Sequence, residues 1–230
     1  MKGKSFGFPF FYTKSFLYFI IFFMTKTFLH VGPGQSYKDN TTPVFNSDEW
    51  EEVRLDIDPD VNPDIVCSIE DMSIVQDSTY DAVYSAHNIE HVYAHQVIPT
   101  LLEFKRVLKD DGFLVLTCPD IKSVCKLIGE GNIRKKLYTS AAGDIFPLDI
   151  LYGHRPSIAT GNEYMAHRNG FTSESLLDIF NQSGFESFII GEDKRAYALW
   201  ALAYKLKSLT QDELSSEISE HVLKKETING

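Results

Sequence analysis

The stretch Phe28-Leu29-His30-Val31-Gly32-Pro33-Gly34 decides how this chain is to be read. Phe28, Leu29 and Val31 make a short apolar run that stops at two glycines separated by a proline. A buried parallel strand running into a tight turn has this pattern. Glycines in such a turn let the backbone approach a ligand that a Cβ would block. Many strands end in Gly-x-Gly, so the residues downstream decide whether the turn serves a cofactor.

Further along, short apolar runs alternate with helical spacing. Strands are expected at residues 53–57, 64–67, 81–84 and 113–117, the last being the most strand-like run of the sequence. Between His87 and Leu108 the apolar residues recur at near-helical intervals, where Ala94–Gln96 and Pro99 suggest two helices or one that restarts with Pro99 in its first turn, and Asp110-Asp111-Gly112 reads as a turn. Residues 172–183 predict an amphipathic helix between a Thr172 cap and a Gly184 stop. Residues 187–190 and 196–204 flank a turn as a β-hairpin. Strands alternating with helices imply a parallel sheet with crossover helices. A Gly- and Pro-rich insert fills residues 120–170, and a charged segment from Thr210 reads as a surface helix or frayed tail. The main domain is therefore placed at residues 24–207, with a tail at 208–230.

The chain of 230 residues with 43% apolar content suits one α/β domain. Its net charge of −10 argues against a nucleic-acid-binding face. Cys67, Cys118 and Cys125 make no disulfide framework, which fits a reducing, cytoplasmic setting. Cys118 and Cys125 also lack the close spacing of a redox or metal pair.

Residues 1–23 differ from the rest: they hold eight of the 17 phenylalanines and no acid. Lys2, Lys4 and the apolar run 16–23 imitate a signal peptide. However, no small-residue cleavage site follows, Lys14 interrupts the apolar stretch, and the run is too short for a membrane span. A start at Met24 removes three lysines and leaves a net charge of −13. Residues 1–23 are read as an upstream mis-start or dispensable extension, with membrane contact only if they are genuine.

The chemistry gathers where the strands end, because ligands of a doubly wound sheet bind at the carboxyl ends of its strands. The first ends in Gly32-Pro33-Gly34, the second in Asp56-Ile57-Asp58, the third near Glu70-Asp71, and the fourth in Ser85-Ala86-His87. Asp56 lies about where such folds place an acid for ribose hydroxyls. A glycine turn with carboxylates on the next two strand ends suits a ligand carrying a ribose, an amine and a positive charge. A dinucleotide loop wants a third glycine where Tyr37 stands, so S-adenosylmethionine is favoured over a pyrophosphate cofactor.

The segments L-H-V-G-P-G, R-L-D-I-D-P, I-E-D-M, Y-D-A-V-Y-S-A-H-N-I-E-H and F-K-R-V-L-K-D-D-G-F-L-V-L-T-C-P-D resemble, in order and spacing, class I S-adenosylmethionine-dependent methyltransferases of the type 11 kind. The resemblance covers roughly residues 28–204. It implies a doubly wound, mostly parallel seven-stranded Rossmann-like sheet in the order 3-2-1-4-5-7-6, with helices on both faces and the last strand antiparallel. It further implies that Gly32, Pro33 and Gly34 meet the methionine moiety, Asp56 the ribose, and Ile57 the adenine. Glu70, Asp71 and Met72 would flank the adenine edge, and Ser85 and His87 the methionine end. Two departures stand out: His30 occupies a position where the family carries an acid, and a polar loop at 35–47 replaces the helix after the glycines.

The insert at 120–170 would lie over the methyl end and shape a pocket for a small acceptor. Its residues Asp149, Tyr152, His154, Arg155, His167 and Arg168 suggest an anionic or sugar-like acceptor, with His154 or His167 as a general base. A non-catalytic binding or sensing module is the alternative. So is a metal-dependent hydrolase using His87, His91 and His95, which lie four apart and would share one helix face. No carboxylate on that face completes a hydrolytic site, and no metal ligand is assigned.

Overall fold

The computed structural model of the protein describes residues 25–140 and 142–222. The extension at 1–23 and the Met24 start lie outside the described residues. Nine strands are described: β1 (Lys26–Val31), β2 (Trp50–Asp56), β3 (Ile65–Val66), β4 (Tyr80–Ala86), β5 (Leu108–Pro119), β6 (Tyr138–Ser140), β7 (Gly143–Ile145), β8 (Ser187–Asp193) and β9 (Ala198–Tyr204). Six helices join them: α1 (Val97–Val107), α2 (Ile121–Gly129), α3 (Pro147–Tyr152), α4 (Arg155–Ala159), α5 (Ser173–Ser183) and α6 (Gln211–Val222).

The main sheet has seven strands in the order β3-β2-β1-β4-β5-β9-β8. The hairpin β6-β7 stands apart in the insert and advances the last two strand numbers. With that hairpin set aside, the order is the expected 3-2-1-4-5-7-6. β9 pairs antiparallel with both β5 and β8, as expected of the last strand.

Alternation along the strands sends side chains to two cores. Leu29, Val31, Val83, Leu114 and Leu116 face a layer built from α1 and α5, including Leu101, Phe104, Leu176 and Phe180. Phe28, Ala82, Tyr84 and Val115 face the other way, against Phe45, Trp50 and Leu214. The polar loop after β1 thus does a helix's work: it lays Phe45 at 4.5 Å from the Phe28 ring and against Trp50. The segment from Thr210, expected as a surface helix or frayed tail, is α6. It buries Leu214 and His221 on that same face.

Of two local expectations, one is decided and one changes. The segment from His87 holds one helix, α1, with Pro99 in its first turn, preceded by 3-10 turns at Ile89–His91 and Ala94–Gln96. Asp110-Asp111-Gly112 is taken into β5 as a bulge, where the register jumps from Tyr80↔Leu108 to Ala82↔Phe113. The cap of α5 is as expected: Thr172 accepts from the Ser175 N–H, and Gly184 stops the helix at φ +72°.

Candidate functional site

At the carboxyl edge of the sheet, Gly32 and Gly34 both take left-handed φ values, +60° and +56°. A Cβ on Gly34 would meet nothing within 4 Å, whereas one on Gly32 would strike the Asn88 side chain at 2.3 Å. Asp56, 7% exposed, accepts from the Gly34 N–H at 2.8 Å and from the Asp58 N–H at 3.0 Å. Arg54 completes the loop's support. Its guanidinium donates to the carbonyls of Gly34, Val61 and Asn62 and stacks 4.2 Å from the Tyr37 ring. Nothing in the pattern V-R-L-D-I except a charged residue inside a buried strand signalled this role.

His30, at the acid position, is buried with Nδ1 2.6 Å from Glu52 Oε1, and Glu52 also accepts from the Lys38 N–H. The ring is therefore occupied in tying β1 to the loop. Ile57 is exposed. Ser85 Oγ and Glu70 Oε1 are buried without a hydrogen-bond partner. Asp71 is exposed and accepts from the Ser73 N–H, and hydrogen bonds from the Ser73 side chain and that N–H hold its carboxyl below the usual range. Met72 has its side chain fully buried in the core; its N–H donates to Glu103 and its carbonyl accepts from Arg106.

Beyond the ends of β4 and β5 the insert encloses a cavity of about 210 Å³, lined in part by His87, Glu90, His91, Tyr138, His154 and His167. Backbone bonds close it. Arg168 N–H and Asn169 N–H both donate to the Glu90 carbonyl, and His167 N–H donates to the Tyr152 carbonyl. Gly153 faces Ala166 in an isolated antiparallel bridge. His154 is oriented by Ser157 Oγ at 2.7 Å from its Nδ1. His167 has Nδ1 2.8 Å from the Ile150 carbonyl. Burial pushes its pKa below the ordinary value, against the opposing pull of Glu90.

Arg155 and Arg168 stay out of this cavity. Arg155 pairs with buried Asp149 at 2.7 Å, and Arg168 stacks over the Tyr93 ring at 4.8 Å. Tyr152 is exposed. The three-histidine helix face does not form either, because the segment is a pair of 3-10 turns. His95 is exposed and stacks on Tyr93, away from His87 and His91. Glu90, which carried no role in the sequence, is the carboxylate that joins His91.

Residues 31–116 match the model of the family described as "Methyltransferase domain". Over that segment the chain is similar to the methyltransferase domain family. Among solved structures, the chain superposes on a protein from Pyrococcus horikoshii with a TM-score of 0.53 at 15% identity, over 83% of this chain and 86% of that one. A SAM-dependent methyltransferase from Methanosarcina mazei gives a TM-score of 0.52 at 16% identity, over 80% and 94%. One from Archaeoglobus fulgidus gives 0.52 at 16%, over 82% and 90%. At these identities the likeness is one of fold. No curated protein matches the sequence.

The residues at the carboxyl edge of the sheet fit S-adenosylmethionine. Gly34 leaves open space where a side chain would stand, and two buried polar atoms, Ser85 Oγ and Glu70 Oε1, lack partners among the described residues. Asp56 keeps further lone pairs on each oxygen, since a carboxylate accepts about four hydrogen bonds and two are in use.

Proposed function

We propose that the protein binds S-adenosylmethionine along Gly32–Gly34 and Asp56 and transfers its methyl group to a small acceptor in the cavity beneath the insert. The single observation that carries this is the glycine turn at the end of β1. Both of its glycines are left-handed and Asp56 fastens it from the end of β2, within the residues that match the methyltransferase model. When bound, the cofactor supplies an electrophilic methyl group on a sulfonium. The chain supplies placement and exclusion of water.

Asp56 acts on the loop as well as on the ligand: by holding the Gly34 N–H it sets the turn that a cofactor would enter. Ile57 offers an exposed apolar surface beside it, and Ser85 and His87 stand nearer the cavity. The insert walls off the acceptor, and His154, held by Ser157, is the candidate base for its proton. With Arg155 and Arg168 turned away, a sugar-like acceptor suits the lining better than an anionic one. Three unpaired cysteines support a cytoplasmic setting. No helix of the described residues is long and apolar enough to cross a membrane.

Calorimetry with S-adenosylmethionine and S-adenosylhomocysteine tests the reading. Binding to the wild type, lost in Gly34→Val and weakened in Asp56→Ala, is expected. The absence of heat with either ligand refutes it. Binding without any methylated product across a panel of sugars and other small alcohols favours a sensing module.

A further inference from the structure

We infer that Glu90, His91 and His167 form a binding site for a first-row divalent metal ion of the zinc or manganese class. One donor atom from each lies within 4.8 Å of the others, at the wall of the cavity beneath the insert. Around an ion, ligands at about 2.0–2.2 Å lie roughly 3–3.5 Å from one another, so small side-chain rotations close the set. His167 Nε2 already stands 3.9 Å from Glu90 Oε1.

The tautomers favour coordination. His91 Nδ1 lies 3.1 Å from the Ala166 carbonyl, and His167 Nδ1 lies 2.8 Å from the Ile150 carbonyl. A carbonyl only accepts, so each Nδ1 carries the proton and each Nε2 presents a lone pair. Metal-bound histidines are held in this way, with the far nitrogen donating to a carbonyl or carboxylate. The two rings meet edge to face with centroids 4.9 Å apart.

Glu90 is the second, independent observation. Its side chain is 1% exposed, and neither carboxylate oxygen has a hydrogen-bond partner. His87 Nδ1 is 3.4 Å away, without hydrogen-bond geometry. An ionised carboxylate stripped of water and of hydrogen-bond partners, with only imidazoles near it, costs several kcal/mol. A glutamine or leucine would fill the space without that cost, so packing does not account for the glutamate. A cation between Glu90 and the two imidazoles does.

The fold holds the set from both sides. His91 ends the 3-10 turn that follows β4, and His167 arrives from the insert, pinned next to Glu90 by the bonds from Arg168 and Asn169 to the Glu90 carbonyl. Two imidazoles and one carboxylate select zinc, manganese, iron or cobalt over calcium. Three protein ligands leave coordination positions open to the cavity. On the methyl-transfer reading, and only on it, an acceptor would reach the ion through an oxygen, which narrows the substrate class to alcohols and diols.

The test uses the full chain stripped with a chelator and titrated with Zn²⁺ and with Mn²⁺ in the absence of any cofactor. One ion per chain is expected for at least one of the two metals. Glu90→Gln, His91→Ala and His167→Gln should each weaken it by on the order of 100-fold or more, with His95→Ala unchanged. Each variant is melted in chelator, so a loss of folding in one is separated from loss of a ligand, and the other two still decide. Failure of the wild type to hold a stoichiometric ion, or wild-type affinity in the folded ligand variants, overturns the inference. Cofactor calorimetry in chelator reports separately on methyl transfer, so the two ideas fail independently.

Discussion

Gly153 is where a single methyl group should open the insert. It has φ +91° and ψ 167°, a conformation in which side-chain-bearing residues are strained by about 1–3 kcal/mol. A Cβ there would lie 1.8 Å from the Met165 carbonyl oxygen, a backbone atom that cannot rotate away. In Gly153→Ala the two segments therefore have to part. Parting removes the bond from His167 N–H to the Tyr152 carbonyl, worth about 1 kcal/mol more. The total, about 2–4 kcal/mol, shifts the opening equilibrium of the insert roughly 30- to 1,000-fold. Hydrogen exchange read by mass spectrometry should show the amides of His167, Arg168 and Asn169 exchanging faster by such a factor, while those of β1 and β4 keep their protection. The variant should also lose metal affinity yet bind S-adenosylmethionine as the wild type does. Unchanged exchange at residues 167–169 with an unchanged melting temperature would refute the reasoning, since it would mean that Met165 and Gly153 do not need to touch.

Other perturbations test the remaining links. His221 is buried against Phe45 and Phe113, with Thr42 Oγ1 3.0 Å from Nδ1, and burial pushes its pKa down to about 4. Between pH 6.5 and 4 the unfolded chain takes up a proton that the folded chain refuses, so stability present above pH 6.5 is lost as pH falls. The stability difference between wild type and His221→Phe should therefore move in the variant's favour by about 3 kcal/mol across that window. A pH-independent difference in urea titrations contradicts this. Phe45→Ala should cost about 3–5 kcal/mol and lower the melting temperature by roughly 6–20 °C, because a fully buried ring leaves a cavity between β1 and α6. A loss below about 1 kcal/mol would mean that the loop after β1 does not cover the sheet. Gly34→Val should abolish cofactor heat while leaving metal binding intact, since the loop and the insert are separate.

Much of this was legible in the amino-acid order because it is local. Phe28 to Gly34 announces a strand and its turn, Thr172 and Gly184 mark the ends of α5, and Asp56 sits at a strand end within a fixed distance of the glycines. Periodicity, caps and turn residues act over a few positions, and a doubly wound sheet follows from their succession. The side-chain partners are another matter. Asp56 is bound to the Gly34 amide, His30 is taken by Glu52, and Met72 is drawn into the core, all through contacts that only strand register sets. The histidine spacing 87-91-95 suggested a helix face, but a pair of 3-10 turns breaks that period.

Glu90 shows the division best. In sequence it is one acid among 32 acidic residues. In the folded chain it loses all solvent and meets His167, which lies 77 residues further on. Spacing along the chain determined that β4 ends beside a histidine. Backbone bonds from Arg168 and Asn169, formed only when the insert folds over the sheet, decided that two imidazole lone pairs and a bare carboxylate share one place. Local patterns carry no information about such closures, because the free energy that makes them comes from groups far apart in the chain.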